Sequence, residues 1–479
     1  MSTELKIALV PQRECVSAGE GKLPPYRLLV EMTPSTPPGE ARGKLNLCVL
    51  LDCSGSMYQF QLSPRDLERW RAVAEKRGEM LQAMSDARRV FIWRGRTLAE
   101  MQAVLSKPMD SGVGALSAIV RTLPEEVHMG LVAFADRGQV IVPSEARLNP
   151  AQYIAALGRL REEVGKFRLG HGTFMSSGLT LAMGEVMHHH SLADINRIVL
   201  VSDGRVHDAS KSLQMLDRLR EQGITVSTVG VGDEFDEEFL ARVADLTGGF
   251  YYYAADPNEI GQRLWEEFVT LRSSVAYEVE LKLTGLGGAE VTDLAQLRPV
   301  MSLFEEIWTG PNWMGVRLPQ IFAGKGAVIA AEMELPAGEV GTRKLGEVRA
   351  KYRSPGTPGT AEAHQELYVE YTLSERRAGV TNRRVDEVFQ RLEVYRRERE
   401  AQYAAAEGDV SSATRKLTEA AAILTQLGDR QLAEDFRREA EEIAAGERRD
   451  KRRTKRIKAR SRHLAGPVSE EEAAPSSAA

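Results

Sequence analysis

Residues 45–51 (LNLCVLL) constrain the fold most, because they form an almost continuous apolar run that ends at a carboxylate, Asp52. A strand this apolar must be covered on both faces, as happens in a parallel sheet between helices. Similar apolar runs follow at 128–135, 197–202 and 224–230, with helical segments at 115–122, 151–160, 177–187 and 211–221. This alternation predicts an α/β domain over residues 44–273, with a doubly wound, mostly parallel sheet.

The segments on either side of this domain have a different residue pattern. Residues 274–374 alternate apolar and polar side chains between turn residues, which predicts an accompanying antiparallel β-sandwich. Residues 1–43 also contain strand-like alternation but have no place in the parallel sheet. We therefore expect them to join the sandwich, so that the α/β domain is inserted into the β domain.

The C-terminal part is helical and then strongly basic. Val385, Phe389 and Leu392 recur at helical spacing, so residues 375–447 are predicted to form helices. Residues 448–479 are predicted to be a basic and then disordered tail. Its first part, 448–462, carries ten basic residues and one Asp but no aromatic residue to stack on bases. We expect a solvated, extended run, with an electrostatic contact to nucleic acid or an acidic protein as the alternative.

Composition excludes several classes of protein. The 479 residues are 43% hydrophobic and 27% charged, with a net charge of −5, which is unlike a collagen-like, wholly disordered or membrane-embedded chain. The three cysteines cannot form a disulfide scaffold. No long apolar run and no secretion signal is evident, so we expect a cytoplasmic protein without a membrane span.

Five oxygen-bearing side chains are candidates for a metal site. Asp52, Ser54 and Ser56 follow the first core strand at alternate positions, Asp203 follows another core strand, and Thr173 precedes a helix. Ligands bind at the carboxyl ends of parallel strands, so these residues are expected to meet at one edge. Hard oxygen ligands favour Mg²⁺, which takes few protein ligands and retains water. The sequence thus predicts a site for Mg²⁺ or Mn²⁺, with Ca²⁺ less favoured.

This pattern resembles the von Willebrand factor type A (VWA) domain and its metal-ion-dependent adhesion site (MIDAS). The family pattern is Asp-x-Ser-x-Ser, a later Thr, and an Asp before Gly, and all five positions match. The flanking segments also resemble bacterial intracellular proteins of this class, including the calcium-activated-chloride-channel-like type.

The resemblance implies a binding function. Asp52, Ser54 and Ser56 would face the cation, Thr173 would join in the ligand-engaged state, and Asp203 would act through water. A partner protein's Asp or Glu carboxylate would complete the site. The resemblance also implies an adaptor or scaffold in a bacterial assembly or remodelling system, linked to an AAA+ ATPase.

The sequence departs from the family pattern in one place. Residues 58–111 intervene between Ser56 and the expected first helix, and they contain a predicted charged helix at 64–87, an apolar piece at 90–93 and a second helix at 97–106. Since this insertion begins beside Ser56, we expect it to emerge on the metal face as a lid or specificity element; the alternative is a surface decoration.

Two other functions are compatible with these residues. A metal-dependent hydrolase or phosphotransferase would need a nucleophile or a second acidic cluster, and neither motif is present. A scaffold with a purely structural metal would unfold when Asp52 is replaced. We therefore expect a binding protein without enzymatic activity.

Overall fold

The computed structural model describes residues 4–35, 44–60, 62, 64–85, 88–124, 127–144, 149–162, 169, 172–191, 194–232, 235–304, 306–354, 359–446, 451–462 and 464. The chain forms two compact units. The first, which we call the β-helical unit, comprises Met1–Lys44, Ser191–Ile195 and Thr270–Ala479; the second, the α/β unit, comprises Leu45–His190 and Asn196–Val269.

Strands and helices fill both units. The strands are β1 (Leu5–Pro11), β2 (Cys15–Ser17), β3 (Tyr26–Pro34), β4 (Leu45–Asp52), β5 (Met80–Ser85), β6 (Arg88–Trp93), β7 (His128–Phe134), β8 (Gly138–Val142), β9 (Ile195–Ser202), β10 (Thr225–Val231), β11 (Tyr251–Ala254), β12 (Ser274–Gly285), β13 (Glu290–Arg298), β14 (Ser302–Leu303), β15 (Trp308–Gly310), β16 (Trp313–Phe322), β17 (Ala327–Glu334), β18 (Gly341–Arg353) and β19 (Ala361–Thr372). The helices are α1 (Pro64–Arg77), α2 (Gly95–Val104), α3 (Pro108–Val120), α4 (Pro150–Glu162), α5 (Met175–Met187), α6 (Ala209–Glu221), α7 (Glu237–Thr247), α8 (Ile260–Arg272), α9 (Glu375–Ala378), α10 (Arg383–Ala406), α11 (Val410–Gln426), α12 (Arg430–Ala445) and α13 (Lys451–Arg462). Short 3-10 helices span Gly55–Tyr58 and Pro257–Glu259.

The α/β unit is built on a six-stranded sheet in the order β11-β10-β9-β4-β7-β8. The pairs β4–β7, β9–β10 and β10–β11 are parallel, and β7–β8 is antiparallel. Every residue of β4, β9 and β10 is buried, as their continuous apolar sequences require.

Helices cover both faces of this sheet. On one face, a core cluster joins the strands to α5, α6 and α7; it includes Cys48, Leu50, Val132, Phe134, Met175, Leu179, Leu216, Leu219, Leu240 and Val243. On the other face, Gly112 of α3 lies against Leu51, and Glu267 of α8 contacts Arg197 of β9. The predicted α/β fold class is confirmed.

The β-helical unit contains a sandwich of two sheets. Their strand orders are β1-β3-β17-β13-β14 and β15-β16-β12-β18-β19-β2, and one apolar cluster lies between them. The N-terminal strands belong to these sheets, because β3 pairs with β17 and β2 pairs with β19.

The C-terminal helices pack on the five-stranded sheet of the same unit. Leu29, Ala295 and Val328 of the sheet share a core with residues of α10, α11 and α12. Asn382, Asp409 and Asp429 cap the N-termini of these three helices through their side chains. None of the described helices is both long and apolar enough to cross a bilayer.

The predicted helix at 64–87 is wrong in its second half. Helix α1 ends at Arg77, and Gly78 adopts a left-handed φ of 66° that stops the helix. Strand β5 then pairs with β6 in an antiparallel hairpin. Met80, Leu81 and Gln82 are good helix formers, but cross-strand pairing determines their conformation here.

The predicted extended, solvated run at 448–462 is also wrong wherever the structure describes it. Lys451–Arg462 form α13, with Ile457 fully buried in the helical core and Lys455 5% exposed. Arg453 pairs with Glu442, and Arg460 pairs with Asp429. The basic run therefore packs on the β-helical unit, where Glu442 and Asp429 pair with two of its arginines.

Candidate metal centre

The sheet order brings the predicted site residues to one edge. Strand β4 ends at Asp52, the neighbouring strand β9 ends at Ser202 just before Asp203, and the 3-10 helix carrying Ser56 begins immediately after Ser54. The carboxyl ends of adjacent strands thus place both aspartates in the same crevice.

Hydrogen bonds join these side chains. The backbone N–H of Ser54 donates to Oδ1 of Asp52 at 2.8 Å, and the Oγ atoms of Ser54 and Ser56 are 3.2 Å apart. The hydroxyl of Ser56 donates to Oδ1 of Asp203 at 2.7 Å. These contacts connect the segment after β4 with the segment after β9.

Thr173 reaches the same place beside Gly204. A Cβ atom built on Gly204 would lie 2.7 Å from Oγ1 of Thr173 and 3.6 Å from Oδ2 of Asp52. The absence of a side chain at Gly204 therefore leaves room for the Thr173 hydroxyl and the Asp52 carboxylate to line one space. The structure thus brings together all five side chains predicted from the sequence.

Burial gives the site its electrostatic character. Asp52 is 0% exposed and Asp203 is 2% exposed. Burial raises the pKa of Asp52, while hydrogen bonds from Ser202 and Ser54 partly offset this effect by stabilising the carboxylate. Within the described residues Asp52 has no ion-pair partner, so a bound cation would relieve the cost of burying its charge.

The donor set fits a hard divalent cation. All five candidate side chains offer carboxylate or hydroxyl oxygen, which suits Mg²⁺ or Mn²⁺ rather than a soft metal. Across the described ranges, no cluster of three or more His, Cys, Asp or Glu side chains provides a zinc-type site.

Three further residues support the site and were not predicted from the sequence. Ser202 donates its hydroxyl to Oδ2 of Asp52 at 2.5 Å. His207 accepts a hydrogen bond from the backbone of Thr173, and Asp208 accepts two from the first turn of α5. Asp208 stands at the N-cap position of α6, but the backbone N–H groups that its carboxylate binds belong to α5.

Two family models match the chain. The von Willebrand factor type A domain matches residues 102–264, and the Sll0103-like, C-terminal alpha-helical domain matches residues 383–467. The first match begins within α2, after most of the insertion, so it leaves out Asp52, Ser54 and Ser56. Domains of this type typically mediate protein–protein interactions and commonly bind a divalent metal.

Two relatives are uncharacterised bacterial proteins. The chain is 29% identical over 188 residues to the Escherichia coli protein YfbK, a match that covers 38% of this chain and 31% of that protein. It is 23% identical over 322 residues to the Synechocystis protein sll0103, covering 66% of this chain and 74% of the relative.

Solved structures extend the likeness to almost the whole chain. A von Willebrand factor type A protein from Catenulispora acidiphila has a TM-score of 0.69 at 17% identity, with 96% of each chain covered. The ArnB paralog VWA2 from Sulfolobus acidocaldarius has a TM-score of 0.53 at 14% identity, covering 96% of this chain and 99% of that chain. At these identities the likeness shows the fold alone. The chain therefore contains a von Willebrand factor type A domain, together with a C-terminal helical domain of the Sll0103 type.

Proposed function

We propose that this chain is a metal-dependent protein-interaction module with a complete MIDAS. Asp52, Ser54, Ser56, Thr173 and Asp203 would hold Mg²⁺ or Mn²⁺. The bound cation would supply a Lewis acid open to an Asp or Glu carboxylate of a partner protein. The observation that carries this proposal is the hydrogen-bonded cluster of oxygen ligands at the carboxyl ends of β4 and β9.

The chemistry of the cluster favours binding over catalysis. Its members are two buried carboxylates and three hydroxyls, which suit cation coordination. The imidazole of His207 lies beside the site, and its Nδ1 accepts a hydrogen bond from the backbone N–H of Thr173. It is therefore not free to act as a general base through that atom, and a non-enzymatic role is part of the proposal.

The cellular setting is likewise proposed. We place the protein in the cytoplasm, as an adaptor or scaffold of a bacterial assembly or remodelling system linked to an AAA+ ATPase. The three cysteines are buried free thiols, which agrees with a reducing compartment. The likeness to calcium-activated-chloride-channel-type proteins stays a prediction.

The insertion is proposed to shape partner access to the metal. It folds as α1, the β5–β6 hairpin and α2, and the Glu79 carboxylate ties the hairpin to α2 through the backbone N–H and hydroxyl of Thr97, at 2.7 and 2.6 Å. Leu81 and Ile92 are cross-strand neighbours and are each 45% exposed. An apolar pair presented on a small folded element can contact a partner.

The test of the main proposal compares affinity capture from native lysate by the intact chain and by an Asp52→Ala, Ser54→Ala variant, each with Mg²⁺ and with a chelator. We expect a protein that is retained only by the intact chain in Mg²⁺ and released by the chelator. Equal retention by the folded variant would show that the partner binds to another surface of the chain. If the intact chain instead unfolds in the chelator, the metal has a structural role.

The insertion is tested in the same assay. Replacing residues 64–104 with a short Gly-Ser linker keeps the 3-10 helix after Ser54 and the start of α3. We expect altered affinity for the captured partner with unchanged Mn²⁺ binding. Unchanged partner affinity would reject the lid.

A further inference from the structure

One residue binds both backbone polar groups of Thr173. The N–H of Thr173 donates to Nδ1 of His207 at 3.0 Å, and the N–H of His207 donates to the carbonyl oxygen of Thr173 at 2.9 Å. His207 lies four residues after Asp203, so it connects two segments that each carry a proposed metal ligand.

Neighbouring contacts extend this connection on both sides. The Asp208 carboxylate accepts hydrogen bonds from the backbone N–H groups of Met175 and Ser176, at 2.8 and 3.0 Å. The Phe174 ring stacks on the His207 imidazole, with centroids 5.3 Å apart and planes 17° apart. The start of α5 is thus held by the segment that follows β9.

The position of the Thr173 hydroxyl depends on the backbone that carries it. Thr173 is 3% exposed, and both of its backbone polar groups bond to His207. These bonds fix the backbone from which the side chain projects, so they limit where the hydroxyl can lie. Gly204 leaves the space into which the hydroxyl projects.

We infer that His207 is a positioning residue for the metal site: its Nδ1 fixes the backbone of Thr173, which keeps the Thr173 hydroxyl beside Asp52. This inference rests on the proposed function, because it assigns a task to one of the proposed ligands. Residues that orient metal ligands from outside the coordination sphere typically change metal affinity by about 10- to 100-fold when they are replaced.

The two contributions of the imidazole can be separated by substitution. Asn places its Oδ1 as many bonds from the backbone as His places its Nδ1, so His207→Asn keeps the acceptor and loses the ring. His207→Phe keeps a ring to stack on Phe174 and loses the acceptor. The inference concerns the acceptor, so the two variants should behave differently.

The experiment measures Mn²⁺ affinity of the full chain by electron paramagnetic resonance, at one pH for all of the proteins. The proteins are the unmodified chain, His207→Asn, His207→Phe, Thr173→Ala and the double variant His207→Phe, Thr173→Ala, after matching melting temperatures have confirmed folding. We expect His207→Phe to lose about 10-fold or more in affinity. Thr173→Ala should lose as much, the double variant no more than either, and His207→Asn little.

Several results would overturn the inference. They are unchanged affinity in His207→Phe, an additive loss in the double variant, or a loss in His207→Asn equal to that in His207→Phe. In all of these cases an Asp52→Ala variant that no longer binds Mn²⁺ would leave the proposed metal site standing.

Amide hydrogen exchange at Thr173 provides a readout that needs no metal. We expect faster exchange in His207→Phe than in the unmodified chain, and near-normal exchange in His207→Asn. If the unmodified chain binds no Mn²⁺, the proposed function fails, and this exchange still decides the positioning: unchanged protection in His207→Phe would refute it.

Discussion

The hydroxyl of Ser56 lies 2.7 Å from Oδ1 of Asp203, although the two residues are 147 positions apart in the chain. Ser56 follows β4 and Asp203 follows β9, so this bond links the two sides of the candidate site. The candidate ligands are therefore brought together by the fold itself. A preformed site should bind metal without a large rearrangement, because little ordering entropy remains to be lost.

Metal binding should stabilise the α/β unit measurably. A ligand that binds only the native state at about 100 times its Kd adds about 2.7 kcal/mol to the free energy of unfolding. For a unit of this size that corresponds to a rise in melting temperature of roughly 5 to 10 °C. Differential scanning calorimetry with Mg²⁺, and with KCl at matched ionic strength, measures it. Ser56→Ala should reduce the rise, and an equal rise in KCl would indicate a general salt effect.

Asp52→Asn should make the metal-free chain more stable. Burial raises the pKa of Asp52 above its ordinary value of 3.8, so the ionised form destabilises the native state. Its contribution to stability is greatest below the unfolded pKa and is lost as the pH rises through the higher folded pKa. At neutral pH, Asn removes this cost while still accepting from the N–H of Ser54.

The same variant should lose the Mg²⁺-induced rise in melting temperature. Asp217→Asn, an exchange at a side chain that is 67% exposed on α6, is the matched control and should change neither quantity. A lower metal-free melting temperature for Asp52→Asn would show that its hydrogen bonds outweigh the cost of burying its charge.

Gly204→Ala should block the metal site. The new methyl group would lie 2.7 Å from Oγ1 of Thr173, inside contact distance, so the Thr173 hydroxyl would have to move. Overpacking of this kind typically costs about 1 to 3 kcal/mol of stability. Mn²⁺ binding and urea unfolding measure the two effects. Gly184→Ala in α5, whose Cβ would contact nothing within 4 Å, should bind Mn²⁺ normally and gain about 0.5 to 1 kcal/mol.

A buried ion pair near the opposite end of β9 from Asp203 gives a prediction about stability alone. Arg197 and Glu267 are both 0% exposed, with Nε and Oε1 3.5 Å apart, and Tyr252 donates its hydroxyl to Oε2 of Glu267. Glu267→Gln leaves the Arg197 charge without its carboxylate and should cost about 3 to 5 kcal/mol in urea unfolding. The neighbouring exchange Glu266→Gln, at a side chain 37% exposed, should cost no more than about 0.5 kcal/mol. Similar losses for both would show that the pair contributes little.

Residue pattern alone predicted much of the α/β unit. The apolar runs at β4, β7, β9 and β10 can be buried on both faces only in a sheet that is covered by helices. A carboxylate directly after such a strand marks the edge of the sheet where ligands bind. Asp52 and Asp203 were therefore identifiable as candidates from one sequence. The β5–β6 hairpin could not be predicted in this way. The residues of β5 are good helix formers, and only their pairing with β6 makes them a strand.

The residues that support the site could not be predicted from the sequence for a related reason. Ser202, His207 and Asp208 bind partners 32 to 150 positions away, and no local pattern encodes such distances. Asp208 stands at the N-cap position of α6. Only the fold shows that its carboxylate binds the backbone N–H groups of α5.

The packing of α13 gives the last prediction. Ile457 is 0% exposed and belongs to the core shared by α10, α11 and α12, so Ile457→Ala should cost about 2 to 5 kcal/mol of stability. Urea unfolding followed by circular dichroism measures the loss. Val410→Ala, at a side chain 46% exposed on α11, is the control and should change stability by no more than about 0.5 kcal/mol. Arg453 and Lys455 are buried with the helix, so exposing them should require undocking it, and Ile457→Ala should then also increase salt-dependent binding to polyanions such as heparin. Unchanged stability in Ile457→Ala would mean that the basic run is a solvated tail after all.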